Sequence, residues 1–330
     1  MSSRIQKIVM IRIEGYSDCG IDPVRDPVTN EWLLEKSTNK PDYVPRLRKQ
    51  KDKQVAFCHS NQLRHVFVPQ VRYTREETLA VEGGRSTSVR YVFALPFVHH
   101  VDAITFLSRA SMVEVDGLAN TLFDLVDQSL AASPVKSVDP SIVLRKLDEI
   151  AKLTGSNQHV DATIRSAVVD DMIVSLKAYV ERVGLHIPVG TCHGDLTLSN
   201  VLVLPQHPMT ADRVHIALID FLDSFVESPL ADLAKLCQDL KYAWTIRRVN
   251  DVMEGDVLSL ILVLQRMYNF LMKRYASAKW FKQYFTLFFI MNQLRVLQYS
   301  KDKVVANYLY ETAAAEYSIF KSELEGKSEL

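Results

Sequence analysis

Residues 190–223 read GTCHGDLTLSNVLVLPQHPMTADRVHIALIDFLD, and the fold is decided in this stretch. It holds two acidic centres. Asp195 sits in HGDLTLSN, five residues before Asn200, and Asp220 opens DFLD after two short apolar runs, Val201 to Leu204 and His215 to Ile219. Both runs are rich in β-branched and aliphatic residues. Pro205 to Arg213 between them holds two prolines and no apolar period, which predicts a loop, two strands and a hairpin turn. A hairpin of this length returns Asp220 to the neighbourhood of Asn200 and Asp195, so three oxygen-bearing side chains converge. Such a set suits phosphoryl transfer, in which a protein mainly positions nucleotide, metal and acceptor and neutralises phosphate charge. Magnesium takes hard oxygen ligands, and one carboxylate plus one amide leaves room for phosphate oxygens and water.

HGD with an asparagine five residues after the Asp, and IDF about twenty residues later, resembles the aminoglycoside phosphotransferase and choline kinase group of kinase-like small-molecule phosphotransferases. The resemblance implies that Asp195 is the catalytic base or hydroxyl-orienting residue, that Asn200 and Asp220 hold magnesium, and that His193 braces the loop. Asp223 and Asp232, in DFLD and PLADLAKL, match further acidic positions of the group, the second of them structural. The same residues admit other readings. HGD alone is an ordinary turn, and His193, Asp195 and Asp220 together suggest a metallohydrolase. Cys192 beside His193 suggests a thiol nucleophile, but no local thiol-enzyme signature accompanies it. The ordered set of HGD, Asn200, IDF and PLADLA is more specific than any part of it and favours the kinase-like reading.

Length and composition bound the rest. A chain of 330 residues, 48% hydrophobic, can bury a large core and is long enough for two lobes. Lys plus Arg balances Asp plus Glu at 39 each, so no global charge argues for nucleic acid or an anionic membrane. Cys19, Cys58, Cys192 and Cys237 form no closely spaced pair and read as reduced thiols of a cytoplasmic protein. The opening MSSRIQKIVMIRIEG is too short and interrupted for a signal peptide, and no apolar stretch approaches the ~20 residues that span a bilayer.

Ile8 to Ile13 and Glu31 to Ser37 read as strands around a turn-rich insert, GYSDCGIDPVRDPVTN. In the family the corresponding hairpin covers the nucleotide phosphates, which makes Gly15, Ser17, Asp18 and Gly20 the candidates here. Lys36, at the end of an apolar strand, matches the lysine that pairs with those phosphates. The helical run Arg46 to Phe57 stands where the family's helix supplies a glutamate for that lysine, yet it contains none. Gln50 and Gln54 are the neutral candidates and Asp52 the only acid, so the usual ion pair is absent or rearranged. RLRKQKDKQ, with GYSDC and ESPLADLAKLCQDLKYAW, resembles the branch described as capsule-biosynthesis phosphotransferases. No aromatic residue interleaves that basic run, which argues against nucleic acid.

Val66 to Tyr73 and Arg90 to Phe97 read as two more strands, separated by the turn EETLAVEGGRSTS. The segment FALPFVHH occupies the hinge position, where the family's backbone bonds adenine; that role maps to the carbonyl of Pro96 and the N–H of Val98. His99 and His100 read as surface or hinge residues. Beyond residue 102 the pattern is helical, with start and stop signals at Asp139-Pro140 and at Gly155 and Gly184. The expected architecture is a bilobal α+β kinase-like fold, with a nucleotide lobe over residues 1–98 and a helical catalytic and acceptor lobe over 99–330.

The expected activity is magnesium- and ATP-dependent phosphoryl transfer to a hydroxyl of a small molecule. The alternatives are a nucleotide-binding pseudokinase, which the missing glutamate keeps open, and nucleotidyl transfer. Thr197 stands where protein kinases use a basic residue, and no APE-like segment follows DFLD, so a protein kinase is not indicated. By the resemblance, the acceptor lies between the catalytic loop and the following helices, with Glu227, Asp239, Tyr242, Trp244, Arg247 and Arg248 as candidates. Mixed charges beside aromatic rings suit a neutral or partly anionic sugar-like alcohol better than a polycationic aminoglycoside, which needs a dense acidic cluster.

Overall fold

The computed structural model describes residues 19–80, 87–160, 168–210, 212–246 and 254–325. The strand expected over Ile8 to Ile13 and the phosphate-loop candidates Gly15, Ser17 and Asp18 lie outside them. In chain order the elements begin with β1 (Gly20–Arg25), β2 (Trp32–Thr38), α1 (Val44–Ser60), β3 (Val66–Phe67), β4 (Tyr73–Ala80), β5 (Thr87–Pro96) and β6 (Val101–Asp102). Helices α2 (Ala103–Leu107) and α3 (Met112–Ala131), strand β7 (Val135–Ser137), helices α4 (Pro140–Ser156) and α5 (Asp170–Val183) and strand β8 (His186–Pro188) follow. Then come a 3-10 turn (Leu198–Asn200), β9 (Val201–Val203), β10 (Ile216–Leu218), α6 (Pro229–Tyr242), α7 (Glu254–Tyr275), α8 (Lys279–Leu297) and α9 (Lys303–Glu325).

Strands β1, β2, β5 and β4 form an antiparallel sheet in that order. The turn-rich insert contains a strand that its glycine and proline content had hidden. Pro23 lacks an N–H, but among the described residues β1 pairs on one side only, where that loss is tolerated. Gly20 therefore opens β1, opposite Ser37, directly after the other phosphate-loop candidates. Helix α1, with a proline in its first turn, lays Val44 and Leu47 against Tyr91, Phe93 and Leu95 of β5 and closes a small core on one face of the sheet.

The single strand expected over Val66 to Tyr73 is two elements. Pro69 interrupts the run, so Val66–Phe67 pairs in parallel with β10 while Tyr73 begins β4 on the other sheet. The β9–β10 hairpin forms as expected, with Leu202 opposite Ala217 and Val201 opposite Leu218. One further bond, from the Ile219 N–H to the Asn200 carbonyl at 3.1 Å, sets Asp220 beside Asn200.

The helices share one large apolar core that extends to Phe57 of α1. Helix α8 is buried over most of its length and packs against α4, α6 and α9, which explains an apolar surface nearly all round. Phe221, 1% exposed, belongs to this core, with its ring 5.0 Å from Phe57 and 4.3 Å from His193. Phe221→Ala is expected to lower unfolding free energy by about 3–5 kcal/mol, and Phe221→Leu to restore most of it, in urea titrations followed by tryptophan fluorescence.

Candidate active site

The loop from His193 to Asn200 is held from beneath by α6. Asp232 accepts the backbone N–H groups of His193 at 2.6 Å and Gly194 at 2.7 Å. One Asp239 oxygen accepts the Leu198 N–H at 2.7 Å, and the other the Thr245 N–H at 2.6 Å. Residues 232, 235 and 239 lie on one face of the helix, so the brace at each end of the loop and the lysine between them point the same way. Gly194 adopts φ +86°, and a Cβ there would lie 1.9 Å from the Leu222 carbonyl, so only glycine fits.

Burial pulls the His193 imidazole down to about 4, which leaves it neutral near pH 7. Its Nε2 lies 2.8 Å from the Ile219 carbonyl and must carry the hydrogen that makes this bond. Nδ1 is then free to accept the Asp195 N–H at 3.2 Å. One ring thus ties the Asp195 backbone to the residue before Asp220.

Asn200 donates from Nδ2 to the Asp195 carbonyl at 2.8 Å and to Oδ2 at 3.1 Å. The other Asp195 oxygen meets Lys235 Nζ at 2.8 Å. Burial acts to raise the Asp195 carboxyl, but the Lys235 and Arg295 charges outweigh it and hold the group down at about 2. Burial and the charge of Arg295 draw Lys235 down to about 8. Asp220, at φ +61°, points at Lys36 of β2, and the two form an ion pair. Burial would depress the Lys36 ammonium, yet the Asp220 carboxylate holds it above its ordinary value.

Helix α1 contributes a lysine to this region where the resemblance led one to look for an acid. Lys53 Nζ lies 2.7 Å from the Leu222 carbonyl, 2.7 Å from Glu227 and 3.5 Å from Cys192 Sγ. Gln50 donates to the Tyr43 hydroxyl at 3.3 Å and Gln54 to the Pro69 carbonyl at 2.7 Å, so neither amide is the partner of Lys36. Asp223 faces Arg46 at 4.0 Å. At the hinge, Phe97 donates to the Trp32 carbonyl at 2.9 Å, and the Val98 carbonyl meets His100 Nδ1 at 2.6 Å. Pro96 ends β5, and Val98 packs with Ile219 on a small cluster of Leu202, Leu204 and Ala217. This forms an apolar floor between the hinge and Asp220.

The acceptor candidates are largely corrected. Asp239 is fully buried with both oxygens on backbone amides. Tyr242 bonds Glu316 and stacks on Phe289, and Trp244, 5% exposed, stacks on Tyr308; both rings serve the core. Glu227 accepts from the Ser224 amide at 3.0 Å and pairs with Lys53. Arg247, Arg248 and Ser17 lie outside the described residues. The cleft beside Asp195 is instead lined by Phe225, Lys235, Phe288, Asn292 and Arg295. Lys235 was legible as the residue three beyond Asp232 and four before Asp239. Arg295, far along the chain, had no local signal.

Asn200 commits its amide nitrogen to Asp195, which leaves its side-chain oxygen available, and its backbone carbonyl accepts the N–H of Ile219, the residue before Asp220. The Asn200 side-chain oxygen and the Asp220 carboxylate are the hard oxygen donors that magnesium takes, and the pair fits that ion when phosphate oxygens and water complete its shell. Among the described residues no group of three or more His, Cys, Asp or Glu could hold a metal, and no helix is long and apolar enough to cross a membrane.

Residues 43–267 match the profile of a family described as the phosphotransferase enzyme family. No curated protein gives a significant match. Among solved structures, a thermostable variant of aminoglycoside phosphotransferase APH(4)-Ia, in ternary complex with AMP-PNP and hygromycin B, is 12% identical with a TM-score of 0.54. The alignment covers 96% of this chain and 98% of that one. A microcompartment-associated aminopropanol kinase is 13% identical with a TM-score of 0.53, over 98% of each chain. At these identities the likeness shows the fold, the bilobal kinase-like α+β architecture.

The depressed Lys235 gives a pH signature. An unfolded lysine keeps its proton up to an ordinary value of 10.5, whereas Lys235 releases it at about 8. The unfolded state therefore binds more protons between those values, and this group makes the fold more stable as pH rises through the window. Lys235→Met is expected to remove roughly 2–3 kcal/mol of that rise, measured as the wild-type-minus-variant difference in urea unfolding between pH 7.5 and pH 10.5.

Proposed function

The chain belongs to the phosphotransferase enzyme family, and from that premise we propose that it transfers the γ-phosphoryl group of ATP, with magnesium, to a hydroxyl of a sugar or sugar-derived alcohol. The observation that carries the proposal is the meeting of Asp195, Asn200 and Asp220 at one place, between the apolar floor under the hinge and the cleft lined by Phe225 and Phe288. In this reading residues 1–98 form the nucleotide lobe and 99–330 the catalytic and acceptor lobe, in a cytosolic protein. The adenine lies on Val98, Leu202 and Ile219, bonded by the Pro96 carbonyl and the Val98 N–H. Lys36 turns from Asp220 to the phosphates when nucleotide is bound.

Asn200 and Asp220 would hold the magnesium, which supplies charge neutralisation across the phosphate oxygens. Asp195 receives the acceptor hydroxyl. A carboxylate held at about 2 is a weak base, so its main task is orientation. The hydroxyl oxygen bonds phosphorus as the bond to the β-phosphate oxygen breaks, ADP leaves with that electron pair, and the hydroxyl proton passes late to Asp195. Phe225 and Phe288, 5.9 Å apart and nearly parallel, offer the apolar wall that a sugar ring packs against; the sequence had placed that role on Tyr242 and Trp244. A place in surface-polysaccharide or capsule metabolism is part of the proposal and rests on the RLRKQKDKQ and ESPLADLAKLCQDLKYAW resemblance.

Asp195→Asn is expected to lower turnover by ~10²–10⁴-fold, with nucleotide affinity within a few-fold of wild type, because its carboxylate acts on the acceptor. Incubation with labelled ATP and a panel of sugars, amino alcohols and aminoglycosides measures this; a variant that keeps half the wild-type rate removes Asp195 from the role. Asp220→Ala is expected to abolish the magnesium dependence of ATP binding in calorimetry and most of the affinity with it. Equal wild-type affinity with and without magnesium would contradict the assignment and favour a non-catalytic nucleotide-binding role.

A further inference from the structure

The cleft beside Asp195 has a charge pattern that selects its occupant. Among the described residues its wall holds two cations, Lys235 and Arg295, and no carboxylate. Lys235 is committed to Asp195 at 2.8 Å, one cation against one anion. Arg295 makes no hydrogen bond or ion pair with any described residue, although its charge is near enough to act on both Asp195 and Lys235. Among the described residues, acids of the same region are engaged elsewhere: Asp239 with two backbone amides, Asp232 with two more, Glu227 with Lys53 and Ser224.

A guanidinium in a cleft is unfavourable until something of opposite charge meets it, and its planar fork matches the paired oxygens of a carboxylate or phosphate. Next to Arg295 the cleft offers Asn292, whose amide nitrogen is held by Gln238 at 2.9 Å, and then the Phe225 and Phe288 wall. An ammonium-bearing acceptor would sit against two cations with no free carboxylate to pair. A neutral one would leave Arg295 without a partner.

We infer that the acceptor is an anionic sugar, whose carboxylate or phosphate group pairs with Arg295 while Asp195 orients the hydroxyl that is phosphorylated. The inference rests on the phosphotransferase reading for the identity of the cleft, and it adds the charge class of the substrate. Arg295 here is a specificity-determining residue; it takes no part in bond making.

The test is a matched set of four sugars: glucuronate, glucose 6-phosphate, glucose and glucosamine. Each is titrated calorimetrically into the full chain with magnesium and a non-hydrolysable ATP analogue, so binding is read apart from turnover. At least one of the two anionic sugars is expected to bind about tenfold or more tightly than glucose, with glucosamine weakest. In Arg295→Gln that preference is expected to fall close to one, and in Arg295→Lys to survive in part, while thermal melting reports whether each variant is folded. Glucose or glucosamine binding as well as the anions, no binding of either anion, or a preference unchanged in a folded Arg295→Gln protein overturns the inference. The same samples with ATP separate the two claims: preferential binding of the anion without phosphoryl transfer would support the charge assignment and contradict the phosphotransferase reading.

Discussion

Two buried carboxylates on one face of α6 fix everything around the loop from His193 to Asn200. Asp232 holds the amides at its start and Asp239 the amide near its end, so the path of the backbone between His193 and Leu198 follows the helix. Burying a carboxylate is unfavourable unless its oxygens are satisfied, and here four backbone N–H groups satisfy them with short bonds, although burial still lifts the Asp232 carboxyl to about 7. Lys235, between the two on the same face, reaches Asp195 itself. A shift of α6 would therefore move the loop and the cation together, and the geometry of Asp195 is as rigid as the packing of that helix against α8.

A second constraint concerns how the sheet side is tied to this loop. Helix α1 has no glutamate for Lys36, and the lysine pairs with Asp220 directly. Lys53 of α1 instead meets the Leu222 carbonyl and Glu227, while Phe57 packs on Phe221. The helix thus still reports on the segment that carries Asp220, through a cation and a ring in place of an anion. Each of the two acidic centres is paired with a lysine, Asp195 with Lys235 and Asp220 with Lys36.

The parts of this arrangement that are local in sequence were legible there. HGD, Asn200 and the two apolar runs required a loop and a hairpin, and the register of β9 on β10 is that hairpin. The helices announced themselves by period and caps, as at Asp139-Pro140. What failed depended on tertiary neighbours. Gly20 to Arg25 looks like a loop because proline and glycine disfavour strands, and only its pairing with β2 makes it a strand. Tyr242 and Trp244 resemble pocket aromatics by chemistry alone, whereas the direction they face is set by α8 and α9, remote in sequence. Asp239 has the composition of a ligand-binding acid and the environment of a brace. Arg295 is one arginine among many until the fold brings it to Lys235.

The central claim is that Asp195, Asn200 and Asp220 move a phosphoryl group and nothing larger. The most direct measurement is the stoichiometry of nucleotide products against modified acceptor, by chromatography and mass spectrometry, after incubation with ATP and magnesium. The account predicts one ADP released for each acceptor that has gained a single phosphoryl group. Pyrophosphate in the medium with an adenylylated acceptor, or ADP with no modified acceptor at all, would contradict it.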